Sequence, residues 1–221
     1  MTGALLNPAA CAAFLVGAFT LAGVSQTAWL ALPLSRRFAI PLDGGRTFRG
    51  RRIFGANKTL RGFVIMVPAT GLSFAALAGL LEGSPSGQTG LWPGASADYG
   101  LLGMWAGMGF MLGELPNSFV KRQLGIAPGQ AADAVYARRL FGVFDRIDSI
   151  LGMLVALTIV APVSWLTWAY VLIVGPLLHA SFSLLLFQLG GKARAAGRSG
   201  SRLLMPPTRP RSAARRRTGP D

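Results

Sequence analysis

Residues 113–130 read GELPNSFVKRQLGIAPGQ, and residues 141–149 read FGVFDRIDS. Together they carry three carboxylates, Glu114, Asp145 and Asp148, and two adjacent cations, Lys121 and Arg122, at the ends of strongly apolar segments. A charged side chain costs about 2.5–3.5 kcal/mol at the centre of a membrane helix and less near its ends, so charges in such places pair or bind an ion. The two stretches therefore predict a metal and phosphate site at the mouth of a bundle of membrane helices.

The composition around them agrees. Of 221 residues, 52% are hydrophobic and 14% charged, with 29 glycines, a balance that fits a polytopic helical membrane protein better than a soluble domain. Against 8 acids stand 22 Lys and Arg, a formal charge of +14. A surplus of that size points to anionic head groups, phosphates or nucleic acid. The single cysteine, Cys11, lies in the first apolar segment, which excludes a disulfide framework and a zinc-type Cys/His cluster.

Apolar runs predict an all-α integral membrane protein with five transmembrane helices at about 9–34, 63–81, 99–115, 147–162 and 165–189. Residues 1–189 form the membrane domain, with polar loops at 35–62 and 117–146, and residues 190–221 form a basic tail. No Lys or Arg precedes the first span, so a cleaved signal peptide is not favoured. The loop at 35–62 holds eight Lys and Arg, the loop at 117–146 five and the tail nine, which accounts for all 22. Because basic residues near short loops stay on the cytoplasmic side, this places the N-terminus outside and the C-terminus in the cytoplasm. The loop at 82–98, without Lys or Arg, then lies outside.

Within the spans, Pro68 predicts a kink. Gly103 with Gly107, and Gly109 with Gly113, have the GxxxG spacing that lets another helix approach closely. Ser25, Gln26 and Thr27 predict interhelical hydrogen bonds or a polar groove lining, and His179 a structural histidine. The Arg-, Gly-, Ser- and Pro-rich tail cannot bury a core and is expected to be disordered. It suits anionic lipid, at about 1 kcal/mol per charge near the surface.

Asp145 and Asp148 are three residues apart, so on a helix they point the same way. Two like charges so placed call for a cation, and hard divalent ions such as Mg2+ take carboxylate oxygens while keeping positions open for phosphates. Glu114 could supply a third oxygen, and ion pairing with Arg138, Arg139, Arg146 or Lys121 is the competing use of these acids. If the third helix continues past Pro116, Glu114, Ser118 and Lys121 fall on one face. In the first loop, glycines free the backbone for close approach to a ligand, and Asn57, Lys58, Thr59 and Arg61 crowd donors against the second span. No GxxxxGK[ST] occurs, so P-loop chemistry is not indicated.

At GELPNSFVKR and FDRIDS the chain resembles the integral-membrane cytidylyltransferases that make CDP-activated lipids. Their pattern of an acid, SxxKR and a later DRxDS appears here as Glu114, Ser118, Lys121, Arg122, Asp145, Arg146, Asp148 and Ser149. The stretch PLDGGRTFRGRRIFGANKTLRG, residues 41–62, is similar to a loop of the CDP-archaeol synthase family, itself small and built of five membrane helices. The resemblance implies an enzyme of phospholipid biosynthesis that condenses CTP with a lipid phosphate, giving a CDP-lipid and pyrophosphate. It also implies a multi-pass protein of the plasma membrane whose active site faces the cytoplasm.

Lys121, Arg122, Asp145 and Asp148 are then the expected catalytic residues, and Glu114, Asp145 and Asp148 the ligands of Mg2+ or another divalent cation. Asp43, Asn57, Lys58, Thr59, Arg61, Ser118 and Arg146 are expected to bind substrate. The Lys-Asp pair that follows SxxKR in larger phosphatidate cytidylyltransferases is replaced here by GIAPGQ, and the DGxxAR of CDP-alcohol phosphotransferases is absent. Substrates are thus CTP and an isoprenoid ether lipid phosphate, phosphatidic acid or another polyprenyl-type phosphate, with no nucleic-acid partner. Oligomeric state is open. Two other readings stay open as well, a non-catalytic scaffold for anionic lipid and an ion-coupled transporter.

Overall fold

The computed structural model describes residues 6–82, 90–128, 135–178, 180, 181 and 184, with only the backbone of 135–140 and 146. His179 and the tail at 190–221 lie outside the described residues. Five helices follow one another along the described chain: α1 (Pro8–Ala31), α2 (Leu60–Glu82), α3 (Ser96–Gln123), α4 (Val135–Val160) and α5 (Trp165–Leu178). Pro8–Ala31 and Leu60–Glu82 are long and apolar enough to cross a membrane, and Ile147–Val160 and Trp165–Leu178 are shorter apolar helices.

Local signals explain where the helices begin and end. Asn7 caps α1, its Oδ1 accepting from Ala9 N at 3.0 Å and Ala10 N at 3.2 Å, and Pro8 opens the helix where a missing N–H costs nothing. At the end of α3, Ile126 N donates to Lys121 O at 2.9 Å and Gly125 N to Arg122 O at 3.0 Å, with Gly125 at φ +80°. This glycine-terminated pair of bonds satisfies the last carbonyls and stops the helix.

Both charged stretches are more helical than expected. The third helix runs through Pro116 to Gln123, and the fourth starts at Val135 instead of near residue 147. Apolar character marks the part of a helix that can sit in lipid, whereas capping marks its end. Helix therefore occupies 117–123 and 135–146 of the predicted loop, and Asp145 and Asp148 sit well inside α4.

The first loop is also ordered. A 3-10 turn (Pro33–Phe38) leads into a two-stranded antiparallel ribbon, β1 (Thr47–Phe48) and β2 (Arg51–Arg52), a small exception to an all-α fold. Arg49 and Gly50 turn its tip with φ +51° and +75°, the left-handed pair that two-residue hairpins require. The ends of the loop are zipped together by Leu42 N to Lys58 O at 2.9 Å and Leu60 N to Ile40 O at 3.0 Å. Lys58 is thereby delivered beside the start of α2.

Side-chain packing among apolar helices comes from shape more than from escape from water, and glycines supply the shape. Gly103 and Gly107 press on α2, where a Cβ at Gly103 would come within 2.6 Å of Thr70 O and 2.7 Å of Phe74 Cβ. Gly109 and Gly113 press on α4 at Gly152 and Ala156. The two pairs are offset by six residues, about 240° around a helix at 3.6 residues per turn, so α3 uses one pair for each neighbour. Phe14 of α1 meets the rings of Phe74 and Tyr99 edge-on, each at 5.2 Å, and closes the core at its centre.

Among the described residues, Ser25 and Thr27 bond within α1 and not across to another helix. Ser25 Oγ donates to Leu21 O at 3.0 Å and Thr27 Oγ1 to Gly23 O at 2.8 Å, each back into α1 itself. Gln26 alone of the three faces a polar cleft.

Successive helices run antiparallel, so the bundle has two distinct ends. At one, Asn7 N bonds Gly90 O at 2.8 Å, Trp92 Nε1 bonds Pro162 O at 2.8 Å and Thr167 Oγ1 bonds Pro8 O at 3.3 Å. Glu82 and Asp98 belong to that end. The described Lys and Arg all belong to the other, with the first loop, the start of α4 and the close of α3.

Candidate active site

The contact of Gly113 with Gly152 sets the depth at which α3 and α4 meet. A Cβ on Gly113 would fall on Asp148 O and within 2.9 Å of Gly152 Cα. One turn beyond Gly113 comes Asn117 and another turn on comes Lys121, while one turn before Gly152 comes Asp148, with Asp145 three residues earlier. Residues four apart stack on one side of a helix, so these two columns face each other.

Their polar atoms form a chain. Asn117 Nδ2 donates to Asp145 Oδ1 at 2.7 Å and to Asp148 Oδ2 at 2.8 Å. Lys121 Nζ forms an ion pair with Asp145 Oδ1 and lies 5.4 Å from the centre of the Phe141 ring. Ser149 Oγ donates to Glu114 Oε1 at 3.0 Å and also lies 3.2 Å from Asp148 Oδ1. Glu114 turns its other oxygen to Lys58 Nζ in a second ion pair. The order Lys58, Glu114, Ser149, Asp148, Asn117, Asp145, Lys121 joins the first loop to both helices.

Coulomb's law shows why the chain alternates. The two aspartate oxygens that share Asn117 lie within about 5.5 Å of each other, and two unit charges about 5 Å apart repel by about 3 kcal/mol at an effective dielectric near 20. An amide donor between them and a lysine beside them offset that repulsion.

Beyond Glu114 lies a cleft of about 220 Å³, lined among others by Gln26, Asn57, Lys58, Thr59, Arg61 and Glu114. Its polar wall comes from the first loop together with Gln26 of α1 and Glu114 of α3, and its apolar wall from Leu30, Phe63 and Met111. Arg61 donates from Nε to Ser35 Oγ at 2.8 Å and from Nη2 to Leu30 O, binding the end of α1 to the start of α2.

Asp43, a residue expected to bind substrate, lies inside the loop with its side chain fully buried. It accepts from Gly45 N and Gly55 N, each at 3.0 Å, from Phe54 N at 3.2 Å and from Arg52, with which it forms an ion pair. Burial alone would raise its pKa, but the Arg52 guanidinium and three backbone N–H groups outweigh burial and hold it well below the usual carboxylate range. Five donors on one carboxylate make it the pin of the loop.

Arg122, expected to be catalytic, is 8% exposed and braces the same loop. Its Nη1 donates to Ile126 O, and its chain lies against Gly55, whose φ of +92° and missing side chain admit it. Burial lowers the pKa of its guanidinium from the ordinary arginine value, and Nε has no hydrogen-bond partner among the described residues. Arg51 adds a bond to Gln123 O, and Phe48 packs on Phe119 with ring centres 5.8 Å apart.

The structure thus brings Glu114, Lys121, Asp145, Asp148 and Lys58 together, with Asn57, Thr59 and Arg61 around the adjoining cleft. It buries Ser118 in α3 at 7% exposure, and the Arg146 side chain lies outside the described residues. Among the described residues, no three of His, Cys, Asp and Glu gather closely enough to hold one ion. Of the three expected carboxylate ligands, Glu114 is engaged by Lys58 and Ser149. Asp145 and Asp148 turn oxygens toward one group, the NH2 of Asn117, and an oxygen-only donor pair suits a hard divalent cation. Sequence reasoning gave Asn117 no role and named Ser149 only within a motif. Four-residue spacing from Gly113 to Asn117 to Lys121 was the available signal.

A bundle of apolar helices with interleaved acids and cations at one end defines a membrane-type protein built to handle charged groups at its surface. The chain belongs to the CDP-archaeol synthase (CarS-like) family, whose match covers residues 37–194. It is 29% identical to the CDP-archaeol synthase of Archaeoglobus fulgidus over 76% of this chain and 96% of the relative. With that of Methanococcoides burtonii it shares 29% identity over 69% of this chain and 87% of the relative, and with that of Pyrococcus furiosus 37% over 42% and 50%. No solved structure matches.

Proposed function

We propose that the chain is a cytidylyltransferase that joins CTP to a membrane lipid phosphate, releasing pyrophosphate and leaving a CDP-lipid. Family membership supports the reaction, and the unbroken run of polar contacts from Lys58 to Lys121 carries the assignment of the site. An oxygen of the lipid phosphate, largely dianionic at neutral pH because its second pKa is near 6, attacks the α-phosphorus of CTP. The bond from that phosphorus to the oxygen bridging to the β-phosphorus breaks, and pyrophosphate leaves with that oxygen.

No strong general base is required, so the protein's work is alignment and neutralisation. Lys58 and Lys121, one at each end of the run, offset charge on the two substrates. Ser149 orients Glu114 so that Lys58 is held at the mouth of the cleft. Arg122 and Asp43 act as positioning residues by keeping the loop that carries Lys58 against α3. Mg2+ or a similar ion, bound through Asp145 and Asp148, would neutralise phosphate charge during the transfer.

For the lipid, an archaetidic-type ether phosphate is the first choice, since the relatives named above are CDP-archaeol synthases, and phosphatidic acid is the second. The membrane reading has five spans, the N-terminus outside and the site on the cytoplasmic face of the plasma membrane. Gathering of the described Lys and Arg at the site's end, opposite Glu82 and Asp98, supports that orientation. CTP then reaches the site from water, the lipid from the leaflet, and the tail at 190–221 meets anionic head groups.

The test is pyrophosphate release by the protein in detergent with CTP and Mg2+, each lipid phosphate being offered separately. Release with one lipid, lost on chelation and in Asp148→Ala, is expected. Neither release nor CTP binding with either lipid would leave a non-catalytic lipid-binding scaffold as the better reading.

A further inference from the structure

Asn117 sits between the two aspartates, and the orientation of its amide is determined by its partners. An ionised carboxylate only accepts hydrogen bonds, so the group 2.7 Å from Asp145 Oδ1 and 2.8 Å from Asp148 Oδ2 must be the NH2. The residue is placed there by the backbone contact of Gly113 with Gly152 one turn away. Lys121 reaches Asp145 alone.

The choice of an amide is informative. A second lysine in this place would cancel charge and leave no demand for a metal, while an apolar side chain would leave the aspartates facing each other. An amide carries no net charge and offers a donor at one end and an acceptor at the other. Turned end for end about its Cβ–Cγ bond, it would place Oδ1 where Nδ2 now sits, beside the oxygens of both Asp145 and Asp148. Amide carbonyls are ordinary ligands of hard divalent ions, beside carboxylates.

We infer that Asn117 is a reversible third ligand: its NH2 keeps Asp145 and Asp148 apart, and its carbonyl oxygen completes their site around a divalent cation. This rests on the metal-dependent reading given above. It also supplies the third oxygen that no trio of acids provides among the described residues, Glu114 being held by Lys58 and Ser149. A divalent ion arriving at the seam would exchange two amide hydrogen bonds for one amide ligand.

The experiment is Mn2+ binding to the full chain in detergent, without CTP or lipid, followed by electron paramagnetic resonance. Wild type should bind Mn2+ and Asp148→Ala should lose it. Asn117→Leu, close in size and without a polar atom, should bind about 10–100-fold more weakly, the range for losing a group that orients or completes a metal site. If Asn117→Leu binds Mn2+ as tightly as wild type or more tightly, Asn117 is only a spacer and the inference is wrong. A second measurement avoids the variant altogether. In wild type carrying 13C-labelled asparagine, bound Mn2+ should show the 13C coupling of a directly ligated amide, and its absence would overturn the proposal. No Mn2+ binding by wild type would instead bring down the metal-dependent reading itself.

Discussion

Replacing Gly152 by alanine tests whether the seam between α3 and α4 is what builds the site. A Cβ at position 152 would lie 2.5 Å from Gly113 Cα and 2.8 Å from Gly113 N, and would fall on Gly109 O. Carbon atoms settle at about 3.5–4.0 Å, so the helices must part by roughly 1 Å. Overpacking of that kind costs about 1–3 kcal/mol. The bonds of Asn117 to Asp145 and Asp148, now 2.7 and 2.8 Å, would open past the length at which a hydrogen bond survives, about 3.5 Å. Misplacement by about 1 Å can lower turnover by about 100-fold. The control is Gly17→Ala, whose new Cβ meets only Leu77 Cδ1 at 3.7 Å. Pyrophosphate release and thermal unfolding in detergent, measured on both variants, should separate them: Gly152→Ala loses activity and stability while Gly17→Ala keeps both. Equal activity in the two would refute the claim that this close crossing positions the acids.

Arg61→Lys should destabilise the protein nearly as much as Arg61→Ala, by about 1–3 kcal/mol, because a single ammonium cannot reproduce the forked contact with Ser35 Oγ and Leu30 O; a melting temperature of Arg61→Lys equal to wild type would contradict this. Asp43 sets an acid limit on the first loop. Since its folded pKa lies below its unfolded value, its contribution is fully present above the ordinary carboxylate range, near about pH 4, and is lost as pH falls toward the folded value. Between pH 5 and 8 it should leave no signature, and Asp43→Asn should flatten the decline of stability in acid, as read from unfolding midpoints across a pH series.

Much of the bundle could be read along the chain. The apolar runs located the helices, the GxxxG pairs announced the two close crossings of α3, and the i, i+3 spacing of Asp145 and Asp148 put both acids on one side of α4. Continuation past Pro116 was the condition for stacking Glu114, Ser118 and Lys121, and α3 does continue. The apolar part of α4 begins at Ile147 as its hydropathy indicates, but the helix reaches back to Val135, where Arg138, Arg139, Asp145 and Arg146 interrupt the apolar residues and hydropathy marks no helix start. The internal partners of Asp43 were not legible either, since a lone charge in a glycine-rich loop looks the same whether it faces a ligand or five internal donors.

What the sequence by itself determined is the inventory and the period: which segments are apolar, which end of the bundle collects the cations, and which residues share a helical face. These follow from composition and from 3.6 residues per turn, and they need no partner. Only the tertiary structure decided who meets whom. Glu114 goes to Lys58, Asp145 to Lys121, and Asn117 stands between two aspartates, because Gly113 and Gly152 let α3 and α4 touch at one depth. That depth depends on two segments far apart in the chain, and a shift of one helical turn, about 5.4 Å, would deal the same residues different partners.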